Sequence, residues 1–166
     1  MAKITLGGNP VETLGSLPDV GSKAPEFTLI TTDLSSKSLS EYKGVKVLLN
    51  IFPSIDTGIC ATSTRKFNVE AAGLENTRVL CISRDTPFAQ KRFCAAEGIE
   101  HVEMLSDFNK GSFGKDYNLE MIDGAMQGFH SRAIVVLDEF GTVLYKEQVP
   151  EIGKEPDYKA ALNAIT

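Results

Sequence analysis

The sequence predicts an α/β sandwich built on a mixed sheet, and three observations carry that prediction. Two near-continuous apolar runs, Val45–Phe52 and Thr77–Ser83, have the composition of strands buried on both faces, as in parallel sheets. A polar stretch with helical character follows each run, from Cys60 to about Ala72 and from Phe88 to Glu97, so strand and helix alternate. Two further apolar runs, Ala133–Leu137 and Thr142–Val149, flank Asp138-Glu139-Phe140-Gly141 and read as a late hairpin, which makes the sheet mixed.

The remaining elements follow in order. Lys3–Leu6, the turn Gly7-Gly8-Asn9-Pro10 and Val11–Leu14 read as an N-terminal β-hairpin. A strand is expected over Glu26–Thr31, then a loop carrying Leu39 and Tyr42 that returns to Val45–Phe52. Asp85-Thr86-Pro87 opens the second helix and Gly98 stops it in the usual C-terminal position. A short strand at His101–Leu105 precedes a glycine-rich loop around Gly111, Gly114 and Gly124. Pro156–Ile165 closes the chain as a helix with Tyr158, Leu162 and Ile165 at helical spacing.

Composition bounds the function. A chain of 166 residues with 42% apolar content can bury a core without staples, and neither repeats nor a linker divide it, so one domain over 1–166 is expected. The net charge of −5 and the dispersed lysines and arginines argue against a nucleic-acid partner. No apolar run reaches the ~18 residues that would span a membrane, and the N-terminus lacks the apolar core of a signal peptide. A cytoplasmic location is the expectation. Three cysteines, Cys60, Cys81 and Cys94, are too few and too widely spaced for a secreted disulfide framework. With no CxxC pair and only His101 and His130, no metal is implied, and no organic cofactor either.

The densest chemistry lies in Pro53-Ser54-Ile55-Asp56-Thr57-Gly58-Ile59-Cys60, directly after the Val45–Phe52 strand. Pro53 cannot donate a ladder hydrogen bond and turns the chain off the sheet. Cys60 then falls at the start of a helix, where unpaired N–H groups and the positive end of the dipole favour a thiolate. Thr57, three residues earlier, can place its hydroxyl beside the sulfur once that turn forms. A free cysteine is ordinarily just a small buried hydrophobe; the residues around Cys60 argue otherwise, whereas Cys81, between Leu80 and Ile82, reads as inert core. Cys94 sits near the end of a helix of little apolar bulk, where fraying could bring it to a second thiol. Arg132, at the entrance of the Ala133–Leu137 strand, is a candidate cation for a charged sulfur and a developing oxyanion, because its donor fork stays charged. Arg65 is a second candidate, better suited to a supporting ion pair.

These residues carry a resemblance. Pro53, Thr57 and Cys60 match the P-x-x-x-T-x-x-C signature of the peroxiredoxins, and Asn50–Gly58 together with Pro87–Gln90 and Arg92-Phe93-Cys94 resemble the bacterial thiol peroxidase branch. The resemblance extends over essentially the whole chain, with Arg84 standing where that branch carries a small or apolar residue. It implies a thioredoxin-like fold and reduction of hydroperoxides, with Cys60 as the peroxidatic cysteine and Pro53, Thr57 and Arg132 around it. It further implies Cys94 as the resolving cysteine of an intramolecular disulfide, thioredoxin as reductant and a homodimer.

Competing readings fare worse. A cysteine phosphatase loop needs one residue more between its cysteine and arginine than separates Cys60 from Arg65, and lacks here its glycine-rich phosphate cradle. A redox sensor that uses the same cysteines without turnover shares every residue with the peroxidase, and only turnover separates the two.

Overall fold

The computed structural model describes residues 2–165, and they form a seven-stranded mixed sheet, a separate two-stranded hairpin and four α-helices. The strands are β1 (Lys3–Leu6), β2 (Asn9–Glu12), β3 (Thr28–Thr31), β4 (Ser36–Ser38), β5 (Lys46–Ile51), β6 (Thr77–Ser83), β7 (Glu103–Ser106), β8 (Ala133–Leu137) and β9 (Val143–Gln148). The helices are α1 (Gly58–Ala71), α2 (Pro87–Glu97), α3 (Ser112–Asp116) and α4 (Tyr158–Ile165). The main sheet runs β4-β3-β7-β6-β5-β8-β9; β5–β6 and β6–β7 pair in parallel, and every other pair is antiparallel. The α/β class, the mixed sheet and the hairpin are therefore as the sequence predicts.

Both faces of the central strands are covered, which explains why they read as continuous apolar runs. Val47, Leu49 and Ile51 of β5 pack with Leu80, Ile82, Val135 and Leu137 on one face, beneath Phe113, Tyr117 and the loops around them. Leu48 and Phe52 point the other way and join Val79, Cys81, Ile134 and Val136 under α1, α2 and α4. Alternation along a strand does this sorting. Leu48, Leu49 and Ile51 are wholly buried, so truncating any of them to alanine should cost about 2–5 kcal/mol.

Several expectations needed correction. Gly7 and Gly8 alone make the first turn, because φ of 58° and 83° in succession suit a two-residue hairpin. Pairing resumes at Asn9 rather than Val11, and Pro10 is accommodated in a strand with one neighbour. The segment between β3 and β5 is not only a loop. Ser36–Ser38 pairs with β3, and Leu39–Tyr42 forms a 3₁₀ turn held by a Ser38–Glu41 capping box. The glycine-rich loop contains α3, in which Gly114 is required for space: a Cβ there would lie 2.7 Å from the Arg84 guanidinium and 2.9 Å from the His130 ring. The seventh strand sits later than expected, at Glu103–Ser106, because its pairing follows β6 and β3 rather than local composition. In α4 the core face is Ala161 and Ile165 with Tyr158 and Ala164 at its edge, and Leu162 is not part of it. Among the described residues no helix is long and apolar enough to cross a membrane.

Candidate active site

β5 ends at Ile51, Phe52 still donates its N–H to the Ile82 carbonyl at 3.2 Å, and the chain then leaves the sheet through buried Pro53. The loop closes on itself at once. Ser54 O accepts both the Thr57 N–H (3.2 Å) and the Thr57 hydroxyl (3.0 Å), while Ser54 Oγ accepts the Asp56 N–H at 3.2 Å. Thr57 has extended backbone angles and is the N-cap of α1; its Oγ1 accepts the Cys60 N–H at 3.4 Å. Cys60 is therefore the third residue of the helix, inside the turn where N–H groups lack intrahelical partners and favour negative charge. The Thr57 hydroxyl meets the Cys60 amide, whereas the sequence spacing predicts it beside the sulfur.

Cys60 is fully buried and packs with Phe52, Ile55 and Phe67. The neighbouring turn is exposed at Asp56 and Gly58.

Arg132 is not the solvated charge that a strand entrance usually carries. It is 2% exposed, its Nε donates to the Ile152 carbonyl at 2.8 Å, and its buried Nη1 has no hydrogen-bond partner. Arg132 shares strand parity with Ile134 and Val136, the β8 residues that face the Cys60 cluster. Register places Ala133 opposite Ile51, so Arg132 borders the point where β5 gives way to the Pro53 loop. A buried, fixed cation with an unpartnered donor, next to a strand whose alternate residues face the Cys60 cluster, suits an anion or a developing oxyanion. Arg65, by contrast, lies on the surface, paired to Glu97 at 2.8 Å and stacked over the Phe93 ring.

Cys94 is half-buried at the edge of the same apolar cluster, and all three cysteines are free. Burial raises its thiol pKa. It lines an open groove of about 510 Å³ with Thr31, Ile99, Val102 and Met104. A more enclosed cavity lined by Lys23, Tyr42, Val45 and Phe140 lies at the opposite end of β5 from Cys60.

Helix α2 is anchored unequally. Thr86 caps it, Pro87 and Gln90 are buried, and Gln90 Nε2 donates to Leu105 O at 3.0 Å. Beyond Gln90 no residue of the helix is fully buried, and Gly98, at φ 65°, closes it by donating to the Cys94 carbonyl. Cys94 thus sits in the half held by surface ion pairs, Arg92–Asp56 at 3.0 Å and Glu97–Arg65 at 2.8 Å, rather than by fully buried side chains. Cys81 is different: fully buried, it accepts from Asn50 Nδ2 at 3.5 Å, and burial pushes its thiol up to about 12.

Two features escaped the sequence reading. Arg84 enters a buried cluster, with Nη1 2.5 Å from Glu120, Nε 3.5 Å from Asp107 and Nη2 donating to Gly111 O at 2.9 Å. His130 Nε2 lies 2.9 Å from Asp107 in the same cluster. The second feature is Asp85, which accepts from Ser54 and from the Ile55 N–H and so reaches into the Cys60 loop. Its only sequence signal was a Ser-x-Asp run directly after a buried strand.

The chain is similar to known proteins over nearly its whole length. The Redoxin family model matches residues 19–162. A thiol peroxidase from Mycobacterium tuberculosis is 54% identical over 165 residues, covering 99% of each chain, and one from Corynebacterium glutamicum is 51% identical over the same span. The crystal structure of a peroxiredoxin-like protein from Aquifex aeolicus superposes with a TM-score of 0.94 at 39% identity, over 99% of this chain and 96% of that one. With Redoxin covering most of its length, its thioredoxin-like fold, and full-length relatives above half identity, the chain belongs to the thiol peroxidase branch of the peroxiredoxins.

Proposed function

We propose that Cys60 is the residue through which this thiol-dependent peroxidase reduces hydrogen peroxide and organic hydroperoxides, with Cys94 closing the cycle. Two observations support the reading, linked by strand parity along β8. Cys60 lies in a helix first turn capped by Thr57, and buried Arg132 holds an unpartnered donor at the adjoining strand end.

The Cys60 thiolate attacks the terminal peroxide oxygen, and the O–O bond breaks as the new S–O bond forms. Arg132 stabilises charge on the oxygens, and Thr57 turns its hydroxyl from Ser54 O toward the substrate. The leaving oxygen takes a proton and departs as water or alcohol, leaving Cys60 as a sulfenic acid. Pro53, buried at the strand end, keeps bulk water from that sulfur. The Cys94 thiol then displaces the hydroxyl as water to form the Cys60–Cys94 disulfide, and an external dithiol reduces it by exchange, becoming a disulfide itself.

The two thiols belong to separate helices, so their union requires the loosely held half of α2 to unwind. Thioredoxin as that dithiol, a homodimeric assembly, a single domain and a cytoplasmic location are parts of the same proposal; they rest on the family resemblance and on the composition. A coupled assay with NADPH, thioredoxin reductase, thioredoxin and peroxide tests it. Sustained NADPH consumption is expected, and a single peroxide equivalent consumed without turnover would favour the sensor reading.

A further inference from the structure

We propose that Asp85 is a positioning residue for the peroxide reaction, holding the loop that carries Thr57 in the geometry Cys60 needs. This rests on Cys60 being the attacking thiol.

The carboxylate is used on both oxygens. Oδ1 accepts the Ser54 hydroxyl at 2.6 Å, and Oδ2 accepts the Ile55 N–H at 2.7 Å and the Ser83 hydroxyl at 2.6 Å. Short bonds to a carboxylate are the strong kind. Two of these three point into the Pro53–Cys60 loop and one points back into β6. From Ser54 the chain of bonds continues without a gap: Ser54 O to the Thr57 hydroxyl, and Thr57 Oγ1 to the Cys60 N–H. Asp85 thus fixes the base of the loop, at Ser54 and Ile55, while the outer turn is exposed at Asp56 and Gly58 and tied only by a surface ion pair from Asp56 to Arg92 at 3.0 Å.

The residue is itself fixed. Ser106 Oγ donates to its carbonyl, and its N–H reaches Ser83 Oγ at 3.3 Å. Asp85 also immediately precedes Thr86, the N-cap of α2. It therefore joins the Cys60 loop to the firmly anchored end of the helix that bears Cys94. Unwinding of the other end of α2 leaves this joint in place, so the Cys60 loop can reset after each cycle.

Ser54 and Ser83 provide the test, since each gives the same carboxylate a 2.6 Å hydroxyl bond and only Ser54 faces the loop. Ser83 Oγ also accepts from Gln90 Nε2 at 3.2 Å, so for a merely structural carboxylate its removal would cost at least as much as that of Ser54. The second-order rate of Cys60 oxidation by hydrogen peroxide is measured by stopped flow, with melting temperature alongside. Because misplacement away from the chemistry can cost up to about a hundredfold, Ser54→Ala and Asp85→Asn should each slow oxidation by about tenfold or more. Ser83→Ala should stay within about twofold, and Ser54→Thr, which keeps the hydroxyl, should recover most of the rate. Should Asp85→Asn fail to fold, the serine pair decides. Equal rates for Ser54→Ala and Ser83→Ala, or a Ser54→Ala rate at or above wild type, would overturn the proposal while Cys60→Ser stayed inactive. An active Cys60→Ser would instead remove the site reading, and this proposal with it.

Discussion

Arg132 donates its Nε to the Ile152 carbonyl at 2.8 Å and leaves Nη1 buried without a partner, immediately before the strand whose Ile134 and Val136 face the cluster that holds Cys60. One end of the guanidinium is thereby used as an anchor, and another is free for substrate oxygens. Arg132→Lys keeps a charge but loses the fork, and should slow single-turnover oxidation by about tenfold to a hundredfold. Stopped-flow oxidation of the reduced enzyme measures it; an unchanged rate would make Arg132 a structural charge. Arg65→Lys, whose partner is the surface residue Glu97, should leave that rate unchanged.

Cys81→Ser should leave peroxide reduction within about a few-fold of wild type, because a buried thiol pushed up to about 12 stays protonated and unreactive. The loss should appear in stability instead, at about 1–3 kcal/mol for a hydroxyl placed where a thiol packed, read from the urea midpoint.

Cys94→Ser should consume one equivalent of peroxide and stop as a sulfenic acid that a dimedone-type probe labels. In the wild type, hydrogen exchange should show amides of Arg92–Ala96 and of the first turn of α1 losing protection on oxidation. The β6 and β8 amides, central in the sheet, should keep theirs. Full thioredoxin-dependent turnover by Cys94→Ser would remove Cys94 from the cycle.

The buried cluster around His130 makes stability pH-dependent. Burial holds the His130 imidazole below its ordinary 6.5, outweighing the pull of its bond to Asp107, with Arg84 and Glu120 as the other charges facing it. The unfolded chain takes up that proton near pH 6.5 and the folded one does so only lower, so stability falls as pH drops below about 6.5, by up to about 1.4 kcal/mol per unit. Asp107, which burial raises but the His130 bond carries below its usual 3.8, contributes stability that disappears only in stronger acid. Urea midpoints at pH 7.5, 6.0 and 5.0 should therefore decline for wild type and stay flatter for His130→Gln. Parallel declines would assign the effect elsewhere.

The candidate site was legible where sequence neighbours are also spatial neighbours. Pro53, Thr57 and Cys60 lie on one loop and one helical turn, so their spacing is their geometry. Gly98 and Pro87 bracket α2 by backbone rules that act locally. Arg132 could be named but not placed, since its burial depends on Ile152 and on strand register twenty residues away. Asp85 reads in the sequence only as part of the turn that opens α2, because its partners Ser54 and Ile55 are thirty residues upstream, brought close only by the parallel pairing of β5 and β6. Strand β4 was invisible for a related reason: Ser36-Lys37-Ser38 has no apolar pattern and exists because β3 offers it an edge. Arg84, read as a surface departure, is held inward by Glu120, Asp107 and the space left at Gly114.

The assignment of Cys60 is tested most directly by single-turnover reaction of Cys60→Ser and Cys81→Ser with one equivalent of hydrogen peroxide, followed by counting the peroxide consumed. A serine hydroxyl has no usable anion at neutral pH. Cys60→Ser should therefore consume none on the timescale of the wild type, while Cys81→Ser should consume its full equivalent and form the Cys60–Cys94 disulfide. Rapid peroxide consumption by Cys60→Ser, or an inert Cys81→Ser that remains folded, would contradict the assignment of Cys60 as the peroxidatic residue.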